Sequence, residues 1–270
     1  MTSAGPSPDE LLVCDLGTVP YGDALAIQEQ VRALRQAGEL PDTLLLLEHP
    51  PVFTRGRRSG AGDLPFDERF YRERGVDVVD TDRGGRATYH GPGQLVGYPI
   101  MSVCDVGAFL RTIERAIVDA LAREGVAARS RHAEGIDYTG VWVEERKIAS
   151  IGLHVAHGVA THGFAVNVDG ELEPFSWIVA CGLTGVRMTS LALELGVPAR
   201  PAGALGPTPL FERFRARMSD SFCGAHGRPP RRVSGEQLAG ATANHTGAAP
   251  AGAEPIEETS AHPAGEAVPA

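Results

Sequence analysis

The sequence predicts one α/β domain of about 220 residues whose sheet mixes parallel and antiparallel pairing. Three observations carry that expectation. The chain has 270 residues and is 43% hydrophobic, enough for a sizeable core. Strand-like apolar runs alternate with amphipathic helices over its first half. A later stretch then carries three strand-like pieces joined by short turns, which an antiparallel meander needs.

The elements follow in order. "ELLVCDLG" reads as a first strand, and "YGDALAIQEQVRALRQAG" as a helix with Ile27, Val31 and Leu34 on one stripe and Gly38 as its stop. "DTLLLLEH" is a continuous apolar run of strand length, closed by two prolines. Residues 50–65 read as a long loop carrying Arg55, Arg57 and Arg58, followed by a short helix, "FDERFYRERG", and a strand, "VDVVDT". A glycine- and arginine-rich loop, "RGGRATYHGPGQ", leads into the strand "QLVGYPIM". The strongest helix is "DVGAFLRTIERAIVDALAREG", where Leu110, Ile113, Ile117, Ala120 and Leu121 recur at helical spacing and Gly125 closes the run. The meander occupies "GIDYTGVWVEERKIASIGLHVAHGVATHGFAVNVD". "SWIVACGLTG" reads as a loop, and "TSLALELG" and "PTPLFERFRARMSDSFCG" as closing helices. From residue 224 the composition turns to Ala, Gly, Pro, Thr and Glu, so 1–223 is expected to fold and 224–270 to form a disordered tail.

Composition excludes several classes. A net charge of −9 disfavours nonspecific nucleic-acid binding. No apolar run approaches the roughly 20 residues that span a bilayer, and the first residues lack a basic and apolar leader. Four cysteines lie far apart without a CxxC pair, which points to reduced thiols in a cytoplasmic protein. The arginines at 55, 57 and 58, with Arg72, Arg74, Arg83 and Arg86 behind them, are either a solvated surface or a dock for an acidic partner.

Three stretches have the residue types that chemistry requires. In "RGGRATYHGPGQ" the glycines permit a tight turn or the close approach of a ligand, while Arg83, Tyr89 and His90 offer donors. In "RKIASIGLHV", Lys147 shares a strand face with Ala149, Ile151, Leu153 and Val155. It is either a strand-end lysine reaching to water or an ammonium held at the mouth of an apolar cavity. His154, His157 and His162 fit no standard zinc spacing, so no metal is expected. Of the cysteines, Cys14 and Cys104 lie in or beside apolar runs and Cys223 at the edge of the tail; Cys181, before Gly182 in a loop, is either one more structural thiol or, if any cysteine is a nucleophile, that nucleophile.

Taken together, "LLLLEHPPVFTRGRRSG", "RGGRATYHGPGQLVGYP", "RKIASIGLHV", "THGFAVNVD" and the "CGL" around Cys181, in that order, resemble the octanoyltransferase (lipoyl/octanoyl transferase) family. The resemblance spans roughly residues 20–215. It implies an α/β mixed-sheet sandwich like the catalytic domain of biotin and lipoate protein ligases. It implies transfer of an octanoyl group from octanoyl-acyl carrier protein, through a cysteine thioester, to a specific lysine of lipoyl domains. Those acceptors belong to 2-oxoacid dehydrogenases and the glycine-cleavage H protein. Carried onto this chain, Cys181 is the acyl-thioester nucleophile and Lys147 its dyad partner. The substrate-binding segments are Arg83, Gly84, Gly85, Arg86, Ala87, Thr88, Tyr89 and His90, then Ser150, Ile151 and Gly152, then Gly163, Phe164 and Ala165. His49 and Arg58 match family positions near the pocket. One departure is Ala180, where the family usually has proline before the nucleophile. No cofactor, no nucleic acid and no membrane are implied, and a monomer is expected. The rival readings are an ATP-dependent lipoate or biotin ligase of the same fold, and a non-catalytic module binding acyl carrier or lipoyl domains.

Overall fold

The structure, a computed structural model, describes residues 10–179, 185–201, 204 and 206–243. The chain runs β1 (Leu11–Thr18), α1 (Tyr21–Gln36), β2 (Thr43–Glu48), β3 (Val52–Arg55), α2 (Glu68–Arg72), β4 (Asp77–Asp80), β5 (Thr88–His90) and β6 (Gln94–Ile100). It continues through α3 (Val106–Ala122), β7 (Arg129–Ser130), β8 (Val141–Val143), β9 (Arg146–Ala156) and β10 (Val159–Asn167). The last elements are β11 (Arg187–Met188), α4 (Leu191–Leu195), α5 (Pro209–Ala225), β12 (Pro230–Ser234) and α6 (Gly235–Ala243).

The large sheet has the order β12-β1-β2-β6-β10-β9-β8-β7, with β11 alongside the first residues of β9. β12, β1 and β2 are parallel, and the ladder from β2 to β7 is antiparallel throughout. β2 shows how two cores form. All six of its residues are buried; Leu44 and Leu46 enter one core with α3 and α5, while Leu45 and Leu47 enter the other with α1 and α6. Period-two alternation on a strand covered on both faces gives this split. α3 starts where the Asp105 carboxylate accepts from the Ala108 N–H at 2.9 Å. α5 starts with Thr208 capping Phe211 N–H and Pro209 in the first turn. A second sheet, β4-β3-β5, packs with α2 around Phe53, Tyr71 and Tyr89. Among the described residues no helix is long and apolar enough to cross a membrane.

Two expectations are corrected. Residues 50–65 are not all loop: Val52–Arg55 form β3, the centre of the small sheet, because Val52 and Phe53 find partners on both sides that are distant in sequence. Nor does order end at 223. α5 runs to Ala225, β12 adds a parallel strand to β1, and α6 lays Leu238 on the α1 core. β12 is a polar strand in which Val233 packs against that core, so backbone pairing rather than apolar composition orders it. Residues 244–270 of the expected tail lie outside the described residues.

Candidate active site

Beside the large sheet lies an open cavity of about 370 Å³, within the range of small-molecule sites. Its wall is built from β9, β10 and the 83–90 loop. Of the residues singled out in the sequence, Arg58, Arg83, Gly84, Gly85, Arg86, Ala87, Thr88, His90, Lys147, Ser150, Ile151, Gly152, Gly163, Phe164 and Ala165 all line it. The loop is fixed to the strands by backbone: Gly84 N–H donates to the Leu153 carbonyl at 2.9 Å. Glycine is needed where they meet, since a Cβ on Gly152 would stand 2.7 Å from the Gly84 oxygen.

Lys147 is 2% exposed, so it does not reach to water as a strand-end lysine would. It is also the chain's single lysine, a signal the sequence offered and motif reading passed over. Its register partner across β8 is Trp142, and the ammonium nitrogen lies 5.3 Å from the centre of that ring. Gly140 makes room for the side chain. It adopts φ of 129°, and a Cβ there would sit 2.3 Å from the Ala149 oxygen and 2.8 Å from Lys147 Cε. The Gly140 N–H donates to the Glu114 carboxylate, which is 1% exposed within the apolar stripe of α3. Glu114 was invisible in the sequence because its neighbours have the helix period and it does not break it.

The arginines are less available than their sequence cluster suggested. Arg83 is 7% exposed and its guanidinium donates to the Thr54 carbonyl at 2.6 Å, to the Thr54 hydroxyl and to the Gly84 carbonyl, so it braces the loop onto β3. Arg55 forks onto Asp80, Arg58 pairs with Asp137 across the cavity mouth, and Arg86 pairs with the buried Asp63. Arg57, exposed, makes no ion pair among the described residues.

The histidines at the far end of the wall are neutral. His90 donates from Nδ1 to Gln94 at 2.7 Å; burial, together with neighbouring His49 and Arg83, holds it well below the usual imidazole range. His162 donates from Nε2 to Asp82 at 2.7 Å, and burial still lowers it. One sequence expectation is corrected here. Tyr89 does not wall the cavity: in β5 its neighbours Thr88 and His90 face the cavity, so strand alternation turns Tyr89 onto Phe53 and Phe175. His49 lies behind the wall, donating from Nδ1 to the Val19 carbonyl and accepting from the cavity-lining Tyr98 hydroxyl at 2.7 Å; burial pushes it down to about 4.

Among the described cysteines, Cys14 and Cys223 are buried and burial pushes both thiols up to about 11, which makes them inert near neutrality. Cys223 thus belongs to a packed helix, not to a tail edge. Cys104 is exposed rather than packed as an apolar residue, and it does not line the cavity. Cys181 and Ala180 lie outside the described residues. The chain on either side is anchored to residues of, or next to, the cavity wall: Val179 N–H donates to the carbonyl of Asp63, the partner of Arg86, at 2.8 Å, and Met188 pairs with Lys147 while Thr189 N–H donates to the Lys147 carbonyl at 3.0 Å. No group of three or more His, Cys, Asp or Glu able to hold a metal occurs among the described residues.

The family model of the lipoyl protein ligase A/B catalytic domain matches residues 20–222, the span that builds the small sheet, most of the large one and the cavity. A Thermoplasma acidophilum protein solved with bound lipoic acid superposes with a TM-score of 0.68 at 18% identity, over 87% of this chain and 94% of that one. Within that class, an octanoyltransferase of Rubrobacter xylanophilus is 47% identical, covering 67% of this chain and 81% of its own. One of Solibacter usitatus is 48% identical, covering 68% and 83%. The chain belongs to the octanoyltransferase family and is an acyltransferase.

Proposed function

We propose that this protein moves an octanoyl group from octanoyl-acyl carrier protein to a specific lysine of lipoyl domains, through a thioester on Cys181, as a cytoplasmic monomer in lipoate biosynthesis. One observation carries the reading: the chain's single lysine is buried in the wall of an acyl-sized cavity, and the segments flanking Cys181 are bonded to that lysine's own strand and to the loop beside it.

Each half-reaction exchanges one acyl bond for another. In the first, the Cys181 thiol gives its proton to Lys147 and the thiolate attacks the donor carbonyl. The tetrahedral intermediate collapses, the carbon–sulfur bond to the carrier breaks, and the departing thiolate takes the proton back. An ordinary thiol, with pKa about 8.5, is only a few per cent ionised at neutrality. A neighbouring ammonium favours the thiolate, each tenfold gain corresponding to about 1.4 kcal/mol. In the second half-reaction the acceptor amine attacks the thioester, neutral Lys147 takes its proton, and the amide forms as the sulfur leaves. The cavity holds the chain through its methylenes, about 0.8 kcal/mol for each one buried. Neutral His90 and His162 leave that wall without a mobile charge. Arg57, exposed and lining the cavity as exposed Ile136 does, suits an acidic carrier.

The test is turnover with octanoyl carrier and an unmodified lipoyl domain in the absence of ATP. Transfer under those conditions is expected. A strict requirement for ATP would instead favour an adenylate-forming ligase.

A further inference from the structure

Tyr71 and Asp63 belong to no motif, and neither lines the cavity. Tyr71, on α2, is 1% exposed, with its ring edge-on to Phe53 at 5.1 Å. Packing alone would be served by phenylalanine, and a buried hydroxyl is costly unless bonded. This one accepts from the Phe66 N–H at 3.3 Å and donates to the Trp177 carbonyl at 3.1 Å. Two residues later the Asp63 carbonyl accepts from the Val179 N–H at 2.8 Å. The Asp63 carboxylate, 2% exposed, accepts from the Gly60 N–H at 3.1 Å and pairs with Arg86, which lines the cavity. The chain is therefore gripped four and two residues before Cys181, and the second grip is shared with the acyl-binding loop.

We propose that Tyr71 and Asp63 are positioning residues, fixing the approach of the chain into Cys181 against the loop that holds the acyl group. This rests on the reading of Cys181 as the nucleophile. A reacting atom displaced by an ångström loses rate without losing substrate affinity, and the loss reaches about a hundredfold. Tyr71 touches only the entering chain, whereas Asp63 also holds a cavity-lining residue, so the two substitutions should separate kinetically.

The experiment compares Tyr71→Phe and Asp63→Asn with wild type in the full chain. Readouts are kcat and KM for octanoyl carrier, melting temperature, and the pH dependence of Cys181 alkylation by iodoacetamide, followed by peptide mass. Tyr71→Phe should lower kcat about tenfold with KM within twofold, and move the alkylation midpoint to higher pH. Asp63→Asn should lower kcat and also raise KM. Unchanged kcat in Tyr71→Phe overturns the proposal. So does a fall that accompanies a collapse in melting temperature while the alkylation midpoint stays put, since that is a structural role. The wild-type control is separate: an octanoyl adduct absent from Cys181 overturns the reading of the nucleophile, and the positioning role with it.

Discussion

Two buried basic side chains in this molecule sit in opposite surroundings. Arg200, 6% exposed, forks onto Glu48 at 2.9 and 3.1 Å, lies 3.4 Å from Asp169, and rests over the Phe211 ring. Glu48 in turn accepts from the Gly93 N–H, so this charge cluster ties the 91–93 turn to the far end of β10, away from the cavity. Lys147, 2% exposed, instead lines the cavity over the face of an indole. Burying a charge has a desolvation cost that good geometry only just offsets. At Arg200 that cost secures loops; at Lys147 it holds an amine in the cavity wall, where the proposed mechanism employs it.

The comparison can be broken most directly by replacing each basic side chain with an apolar one of similar length. Lys147→Met is expected to lower kcat about 10²–10⁴-fold, the span of a lost acid–base group, with melting temperature held or raised. Arg200→Met is expected to do the reverse. It leaves Glu48 and Asp169 buried without their cation, so stability should fall by about 3–5 kcal/mol in urea titration, while the folded fraction turns over normally. Normal turnover in Lys147→Met would remove the distinction.

Stability should also depend on pH through the buried imidazoles. Burial holds His49 down to about 4, against about 6.5 in an unfolded chain. Below 6.5 the unfolded state binds a proton that the folded state does not. Stability is therefore complete above pH 6.5 and is lost as the pH falls toward 4, by about 3 kcal/mol for this residue alone. His90 and His162, also lowered, add in the same direction. Urea midpoints at pH 7, 6 and 5 measure the loss; a flat profile would contradict the neutral imidazoles. A smaller effect is expected at the surface. Arg57→Ala should reduce kcat/KM for the carrier a few-fold at low salt and little at 0.5 M, because exposed charges act mainly on encounter rate.

How much of this was legible in the sequence depended on local repetition. α3, β2 and the β8–β9–β10 meander announce themselves by period, and β8 to β10 pair with their neighbours in sequence. β3 and β5 are short strands; β3 pairs with β4 on one side and with β5 on the other, across the Arg- and Gly-rich loops, so no local pattern marks them. β12 is polar and earned its place through a parallel pairing with β1, more than 200 residues away in the chain. Within the site, the lining residues of the 83–90 loop, β9 and β10 were found by motif. Tyr89 falls in β5 rather than in a loop, and strand parity turns it away from the cavity. Glu114, Asp63, Tyr71 and Gly140 act through bonds to residues distant in sequence, and nothing in their own neighbourhood marks them.

The most direct test of the central claim is the mass of the protein after brief exposure to octanoyl-acyl carrier protein without ATP, with the modified peptide mapped. The account expects one octanoyl group, removable by hydroxylamine, on the peptide containing Cys181. An unmodified protein that nonetheless transfers the octanoyl group, or an adduct on Cys104, would contradict it.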